Sequence, residues 1–317
     1  MVIGFTGSRG FIGSYLLRYV VSKQMGRVRV FVRKVTIAEE NSGIEVVHGD
    51  LLSLEDCERF AQGLDLILYL AHCNAPVNSD LDQPKDALLN MIPLLNLLQA
   101  IETSKAKPHV VYFSSGGAIY GRRTERIPFR ETDPCEPLSS YGIQKLAAEH
   151  YLRLAAEKGH LTCTVLRVGN AYGTLLPHQR MQGLIGVAIN QVLRREPVRV
   201  FGSLDNVRDY VHLEDICTIV EKVARPKDPF AILNVGSGRG YSVADVLRNI
   251  QDSINSSFEI AMVQDSQRGR WLPDWIVLDI TKARTEFGWA PVVDFRTAIR
   301  AMAAECRAQI NSRTALA

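Results

Sequence analysis

Tyr141 and Lys145 lie four residues apart, just after Pro137-Leu-Ser139-Ser140, a stretch that reads as a serine-capped helix start. On a helix, that spacing projects both side chains from one face. A cation beside a phenol favours the phenolate and lowers its pKa from about 10 toward working pH. Tyr141 is therefore a candidate general base and Lys145 its tuner. Ile143, Ala147, His150 and Leu154 form a separate stripe that the pattern assigns to the core. The plainer alternative is an amphipathic helix carrying a stray tyrosine and lysine. Two other features argue against that alternative: a glycine turn near residue 7, and the pair Ser114-Ser115 at the end of an apolar run.

The glycine turn lies in Val2-Ile-Gly-Phe-Thr-Gly-Ser-Arg-Gly-Phe-Ile-Gly13, a short apolar run followed by Gly7, Gly10 and Gly13 and then a helical pattern. Gly7 permits a tight turn, Gly10 lets a pyrophosphate approach the backbone, and Gly13 lets the helix pack closely on the strand. The open N–H groups and positive dipole end of such a helix attract an anion. Three glycines alone are a weak signal, but their place between a strand and a helix strengthens it.

Both features need a scaffold, and the rest of the chain supplies one. Val28 to Val32, Val46-Val47, Leu64 to Ala71, Val110 to Phe113 and Cys163 to Val168 are apolar, β-rich runs separated by helical stretches. This alternation predicts an α/β fold with a doubly wound parallel Rossmann sheet, whose ligands lie at the carboxyl ends of the strands. Past Asn170 the alternation weakens. Arg180 to Arg195 reads as helix, Val198 to Phe201 as a short strand, Asp209 to Ala224 as helix after its start, and Ile232 to Val235 as a strand returning to the main sheet. The expected division is a dinucleotide domain over residues 1–169, with a returning segment at 209–236, and a smaller interleaved C-terminal substrate lobe over 170–208 and 237–317.

With 317 residues, 46% hydrophobic and 22% charged, the chain is long and apolar enough for a large core and leaves no case for extended disorder. A net charge of +3 is too small to imply nucleic acid and suits a locally basic pocket for a small anion. Six scattered cysteines without a Cys-x-x-Cys pair point to neither a disulfide framework nor a metal site. The first strand begins at residue 2, leaving no room for a signal peptide, and no apolar run is long enough to span a bilayer. A cytoplasmic protein without a membrane partner is expected.

Five motifs occur in order: Thr6-Gly-Ser-Arg-Gly-Phe-Ile-Gly13, Tyr141-x-x-x-Lys145, Asn170-Ala-Tyr-Gly173, Arg208-Asp-Tyr-Val-His212 and Gly288-Trp289. Together they resemble the extended short-chain dehydrogenase/reductase family over nearly the whole chain, with motifs closest to UDP-hexose 4-epimerases. The resemblance implies that Gly7, Gly10, Phe11, Ile12 and Gly13 hold a cofactor pyrophosphate. Asp50 and Leu51 would lie at the adenine, and Leu70, Ala71 and Asn90 would line the cofactor groove. It also implies that Tyr141 and Lys145 hydrogen-bond the nicotinamide ribose. On the substrate side, Asn170, Arg208 and an arginine of Gln267-Arg-Gly-Arg270 match positions that grip a nucleotide diphosphate, with Val200 and Phe201 beside the base; Arg268 fits the spacing better than Arg270. Members commonly dimerise through helices corresponding to those beginning near Leu88 (with Leu89, Ile92 and Leu95) and at Ser140.

Two departures from the family pattern bear on function. Counting back from Tyr120-Gly121, the usual catalytic serine or threonine position is Gly116. Ser115 is the candidate replacement and Ser114 the weaker one, although both could simply close the strand. Gly117-Ala118 also lacks the Asp-Glu pair with which 4,6-dehydratases of this family remove water, which argues against a dehydratase. His72, at another strand end, reads as packing rather than a substitute. Second, Arg33 stands where NAD-binding members carry an acid, and with Arg9 it suits the 2′-phosphate of NADP. NAD or NADP is thus the expected cofactor, with NADP favoured. The leading expectation is a nucleotide-sugar 4-epimerase, weighed against an NADPH-dependent ketoreductase and a non-catalytic dinucleotide-binding regulator.

Overall fold

The apolar run Val2–Thr6 forms the first strand (β1) and the glycine turn delivers the chain into Phe11–Ser22 (α1). The computed structural model describes residues 1–34, 43–73, 79–104, 106–175, 183–263 and 273–314. Arg27–Val32 (β2), Glu45–His48 (β3), Leu66–Tyr69 (β4), His109–Ser115 (β5), Thr162–Val168 (β6) and Phe230–Val235 (β10) join β1 in one sheet. Its order is β10-β6-β5-β4-β1-β2-β3, and every pairing is parallel. From β1 the chain first builds outward through β2 and β3, then crosses back to β4 and continues the other way. The carboxyl ends of β1 and β4, with Thr6 opposite Tyr69, therefore frame the switch-point crevice.

The strands are apolar runs because both faces of the sheet are covered. On one face, Leu16 and Val20 of α1 share a buried cluster with Ile216 and Val220 of Leu213–Val223 (α6). On the other lie Leu54–Ala61 (α2), Gln83–Ser104 (α3) and Ser140–Glu157 (α4). Ser139 caps α4, its hydroxyl accepting from the Gly142 N–H at 3.2 Å, as the serine pair predicts.

The smaller lobe contains Asn170–Tyr172 (β7), Val207–His212 (β9), Gly240–Ser242 (β11) and Trp275–Ile276 (β13), all paired around β9. Val198–Phe201 (β8) pairs in parallel with Ile260–Val263 (β12). Leu184–Leu193 (α5), Val243–Ile254 (α7) and Phe295–Thr314 (α9) pack into the lobe's own core. Thr281–Phe287 (α8) leads into Trp289, whose indole donates to the Asp215 carbonyl and to Thr218 Oγ1 of α6. Asp209 stitches the lobe together: its buried carboxylate accepts from Ser237 N, Ser237 Oγ, Gly238 N and Leu278 N. Burial pushes its pKa up to about 6 against the pull of those bonds.

One expectation is sharpened and one is corrected. The segment after Asp209 stays extended to His212, because Tyr210 and Val211 bury in a strand; the helix starts at Leu213 with His212 as its cap. The stripe on α4 also faces outward. Ile143 is 56% and Leu154 47% exposed, while Lys145, Ala148, Leu152 and Ala156 face the sheet. An apolar stripe does not say which side of a helix carries it inward, and here the sheet lies on the face that holds Lys145.

Candidate active site

The crevice at β1 and β4 begins with the glycine turn. Gly7 has φ +74°, and a Cβ there would sit 2.7 Å from Ala71 N and from the Leu70 carbonyl carbon. A Cβ on Gly13 would come within 2.1 Å of the Gly7 carbonyl oxygen. The turn therefore presses against the end of β4 and α1 presses against the turn, leaving no space for a side chain at either point. Gly10 precedes α1 with no side chain capping the helix. Ser8 Oγ is buried in the turn without a hydrogen-bond partner. A cradle of main-chain donors at an uncapped helix end fits a dinucleotide pyrophosphate. Phe11 and Ile12 form the first helical turn beside it.

Beyond the ends of β2 and β3 a cavity of about 340 Å³ is lined by Arg33, His48, Gly49, Asp50, Asp56 and Arg59. Asp56 is committed to protein groups: it accepts from the Asp50 N–H at 2.8 Å and pairs with Arg59 at 2.5 Å, and both contacts hold its carboxyl below the usual range. Arg59 also donates to the His48 carbonyl at 3.0 Å. The sequence reading missed Arg59, because only the fold brings α2 to the end of β3. Arg33 is exposed on the rim of this cavity, and Arg9 is exposed in the glycine turn.

At the end of β5, the Ser115 hydroxyl faces Tyr141 and pulls its pKa down, and a Cβ on Gly117 would lie 3.9 Å from Ser115 Oγ and 3.4 Å from Asn170 Oδ1. Ser115, Tyr141 and Asn170 thus meet at one point. Gly116 cannot supply the hydroxyl. A Cβ there would be driven to 2.7 Å from Leu278 Cδ1 and 3.0 Å from the Arg167 carbonyl, into packed interior rather than the cleft. Ser114 points the other way as well, donating to Glu149. The alternation of a strand explains both orientations.

Lys145 is buried, its Nζ donating to the Phe113 carbonyl at 2.8 Å and lying 5.7 Å from the Tyr141 ring centroid. The expected lowering of the tyrosine pKa does not follow from this pair. Burial pushes Tyr141 up to about 12, with only the Ser115 hydrogen bond pulling it down. Burial also pushes Lys145 down to about 7, against the pull of Glu149 one turn along α4. A lysine held in apolar surroundings is a weak source of positive charge, which is why it does not tune its neighbour alone.

Beneath these groups runs a buried network that the sequence reading did not identify. Arg167 Nη2 pairs with Glu149 Oε2 at 2.7 Å and Nη1 donates to Tyr120 Oη at 3.0 Å. Tyr120 Oη donates to Asn234 Oδ1 at 2.7 Å. A signal was present: one arginine in the otherwise apolar run Cys163 to Val168 requires a buried partner.

Other expected site residues fall as follows. Leu70 and Ala71 border the turn. Asn90 is buried and committed, accepting from the Cys73 N–H and donating to Asp86, so it fastens the groove wall instead of facing the groove. Asp50 lines the cavity by β3, and Leu51 packs against the core behind it. Val200 is corrected: at 2% exposure its side chain lies in the lobe core, because successive residues of β8 alternate and it is Arg199 and Phe201 that are turned outward. Arg208 is half-buried and donates to the carbonyls of Val207 and Pro273. Arg268 lies outside the described residues.

The model of the NAD-dependent epimerase/dehydratase family matches residues 3–236. The chain is similar to the dTDP-4-dehydro-6-deoxyglucose reductase of Escherichia coli, at 25% identity over 91% of this chain and 92% of the relative. It is also similar to a putative UDP-glucose 4-epimerase of Methanocaldococcus jannaschii, at 26% identity over 93% and 95%. Among solved structures, the Thermotoga maritima UDP-glucose 4-epimerase with UDP-glucose superposes with a TM-score of 0.89 at 27% identity, covering 98% of this chain and 100% of that one. The Thermus thermophilus UDP-glucose 4-epimerase complex with NAD gives 0.85 at 28% identity, covering 97% and 99%. Matched from β1 to the end of β10, and aligned with such relatives over nearly their full lengths, this chain belongs to the NAD-dependent epimerase/dehydratase family and is an NAD(P)-dependent sugar-nucleotide enzyme.

Proposed function

We propose that the protein is a nucleotide-sugar 4-epimerase acting on a UDP-hexose, with residues 1–169 and 209–236 serving the cofactor and 170–208 and 237–317 the nucleotide sugar. The observation that carries this reading is the convergence of Tyr141, Ser115 and Asn170 beside the glycine cradle, with Gly117 where a dehydratase needs an acid. Such a centre can move a proton at a hydroxyl but offers nothing there to expel water.

When bound, the oxidised nicotinamide supplies the hydride acceptor and a positive charge that favours the phenolate. Tyr141 takes the proton of the sugar 4-hydroxyl, and Ser115 holds the same oxygen as it becomes a carbonyl. Lys145, anchored on the Phe113 carbonyl beside the Tyr141 ring, adds to the nicotinamide charge in favouring the phenolate. Turning the 4-keto sugar in the pocket would present its other face for reduction, and Tyr141 would return its proton to the same oxygen as the hydroxyl re-forms. Arg208 and Arg268 anchor the nucleotide diphosphate while the sugar turns, with Phe201 beside the base. Tyr141→Phe should lower turnover by about 10³-fold while cofactor still binds; undiminished turnover on UDP-glucose would overturn the assignment.

The cofactor assigned is NADP in preference to NAD, on the cations Arg33 and Arg9 at the end of β2 and in the turn. The assembly assigned is a homodimer. Leu88 and Ile92 of α3, with Ile143, Tyr151 and Leu154 of α4, leave apolar side chains exposed on adjacent helices, which suits a four-helix contact between two copies.

Arg33 together with the similarity to the E. coli reductase supports a second reading, an NADPH-dependent reductase of a 4-keto nucleotide sugar. Incubation with a panel of UDP-sugars, with and without NADPH, separates the two. Interconversion without net cofactor consumption is expected; stoichiometric oxidation of NADPH by a keto sugar would replace the epimerase with the reductase.

A further inference from the structure

His72, just past the end of β4, sits against the catalytic tyrosine. The His72 and Tyr141 ring centroids are 4.8 Å apart with their planes at 86°. Its Nε2 is buried and has no hydrogen-bond partner among the described residues. In either tautomer that atom is a donor or an acceptor, and an unpaired one away from water is costly.

The placement is held from both sides. Asn90 Oδ1 accepts from the Cys73 N–H at 2.7 Å, fixing the residue after His72. Asn90 Nδ2 donates to Asp86 Oδ1 at 2.9 Å. The other oxygen of that buried carboxylate accepts from Gln144 Nε2 at 2.6 Å and from Ser140 Oγ at 3.4 Å, fixing the residue before Tyr141. Asp86 and Asn90 of α3 therefore tie the end of β4 to the start of α4. The separation of imidazole from phenol is set by a buried polar clamp and not by loose packing.

From this clamp and the orphaned nitrogen we infer that His72 is a ligand-binding residue of the catalytic centre, its Nε2 hydrogen-bonding a hydroxyl of the molecule bound beside Tyr141. The inference rests on the reading of the cleft as a site for a nicotinamide dinucleotide and a nucleotide sugar. Both molecules bring hydroxyls to the Tyr141 end, the cofactor from its ribose and the substrate from its hexose. The imidazole acts as a neutral partner: burial, with the nearby Lys145 ammonium, pushes its pKa down to about 2, so it neither adds charge near the hydride path nor competes with Tyr141 for the proton.

His72→Phe keeps the ring against Tyr141 and removes Nε2. His72→Gln restores an amide near the same place. Calorimetric titrations of NADP and NAD into cofactor-free protein, and of UDP-glucose and UDP into the cofactor complex, give the affinities. His72→Phe should weaken one of these by about tenfold, as loss of one buried hydrogen bond requires, and His72→Gln should recover most of it. A loss confined to NADP and NAD identifies the ribose; a loss for UDP-glucose but not UDP identifies the hexose. Unchanged affinities in a folded His72→Phe variant overturn the inference and leave the functional reading standing. Wild-type protein that binds neither dinucleotide nor UDP-glucose overturns both. Should His72→Phe not fold, the ¹⁵N resonance of His72 Nε2 in wild type decides: it moves on adding NADP or UDP-glucose if the bond forms, and a fixed resonance through both additions overturns the inference.

Discussion

Around Gly7 and Gly13 the cleft is made by what is missing, whereas around Ser115, Tyr141 and Asn170 it is made by what projects. The first region is main chain pressed against main chain, with the Gly13 position 2.1 Å from the Gly7 carbonyl once a Cβ is placed there. The second depends on side chains from several elements, two of them oriented by neighbours that serve no ligand: Lys145 by the Phe113 carbonyl and Tyr141 by the clamp through Asp86. A backbone site admits few residue types and is unforgiving of any Cβ. A side-chain site is tolerant of its surroundings as long as the reacting groups stay in register.

The most severe test of that difference is Gly13→Ala. The added methyl must displace α1 or the turn, at ~2–3 kcal/mol of stability and with at least ~100-fold weaker dinucleotide binding. Phe201→Ala, an exposed residue at the lobe end, should leave the melting midpoint and dinucleotide affinity within error. Thermal unfolding and dinucleotide titration of both variants check this, and a Gly13→Ala protein that binds normally would break the comparison at its root.

The same difference explains what could be read before the fold was known. Glycine spacing between an apolar run and a helix is a local signal, and it locates the cradle at Gly7, Gly10 and Gly13. Apolar runs alternating with helical stretches likewise give the parallel sheet and its switch point. Tyr141 and Lys145 are legible as a pair because helical spacing is local too. What is not local is lost. The outward face of Ile143 and Leu154, the inward face of Val200, and the burial that carries Tyr141 to about 12 all depend on which surface packs against which. The role of Gly116 required a tertiary neighbour: only Leu278, from the far end of the chain, shows that no side chain at 116 reaches the cleft.

The two serines of β5 sharpen the comparison within the side-chain half. Ser115→Ala removes the hydroxyl that faces Tyr141 and should lower kcat by about 10²-fold, with the melting midpoint unmoved. Ser114→Ala leaves Glu149 short of one donor in the network with Arg167 and should destabilise the fold by ~1–3 kcal/mol, with kcat little changed. Turnover and unfolding measured on the same two proteins decide the matter. A reversal of the pattern would assign the reacting oxygen to Ser114 and dismantle the site as described.

The smallest effect belongs to the edge of the cofactor half, where side chains take over from backbone. Arg59 is already engaged by Asp56 and by the His48 carbonyl, so it offers a 2′-phosphate less than its charge suggests. On the proposed NADP reading, Arg33, exposed on the rim of the same cavity, carries most of the discrimination. Replacing it by aspartate exchanges a phosphate partner for a group that accepts from ribose hydroxyls. NADP affinity should fall about tenfold and NAD affinity rise, and the NADP change should shrink at high salt, because an exposed charge is screened within about 10 Å at 0.1 M ionic strength. Titration of both dinucleotides into wild type and Arg33→Asp at low and high salt measures each part. Equal affinities in the two proteins would mean that the cofactor is recognised by main chain alone, extending the backbone rule to the whole of its site.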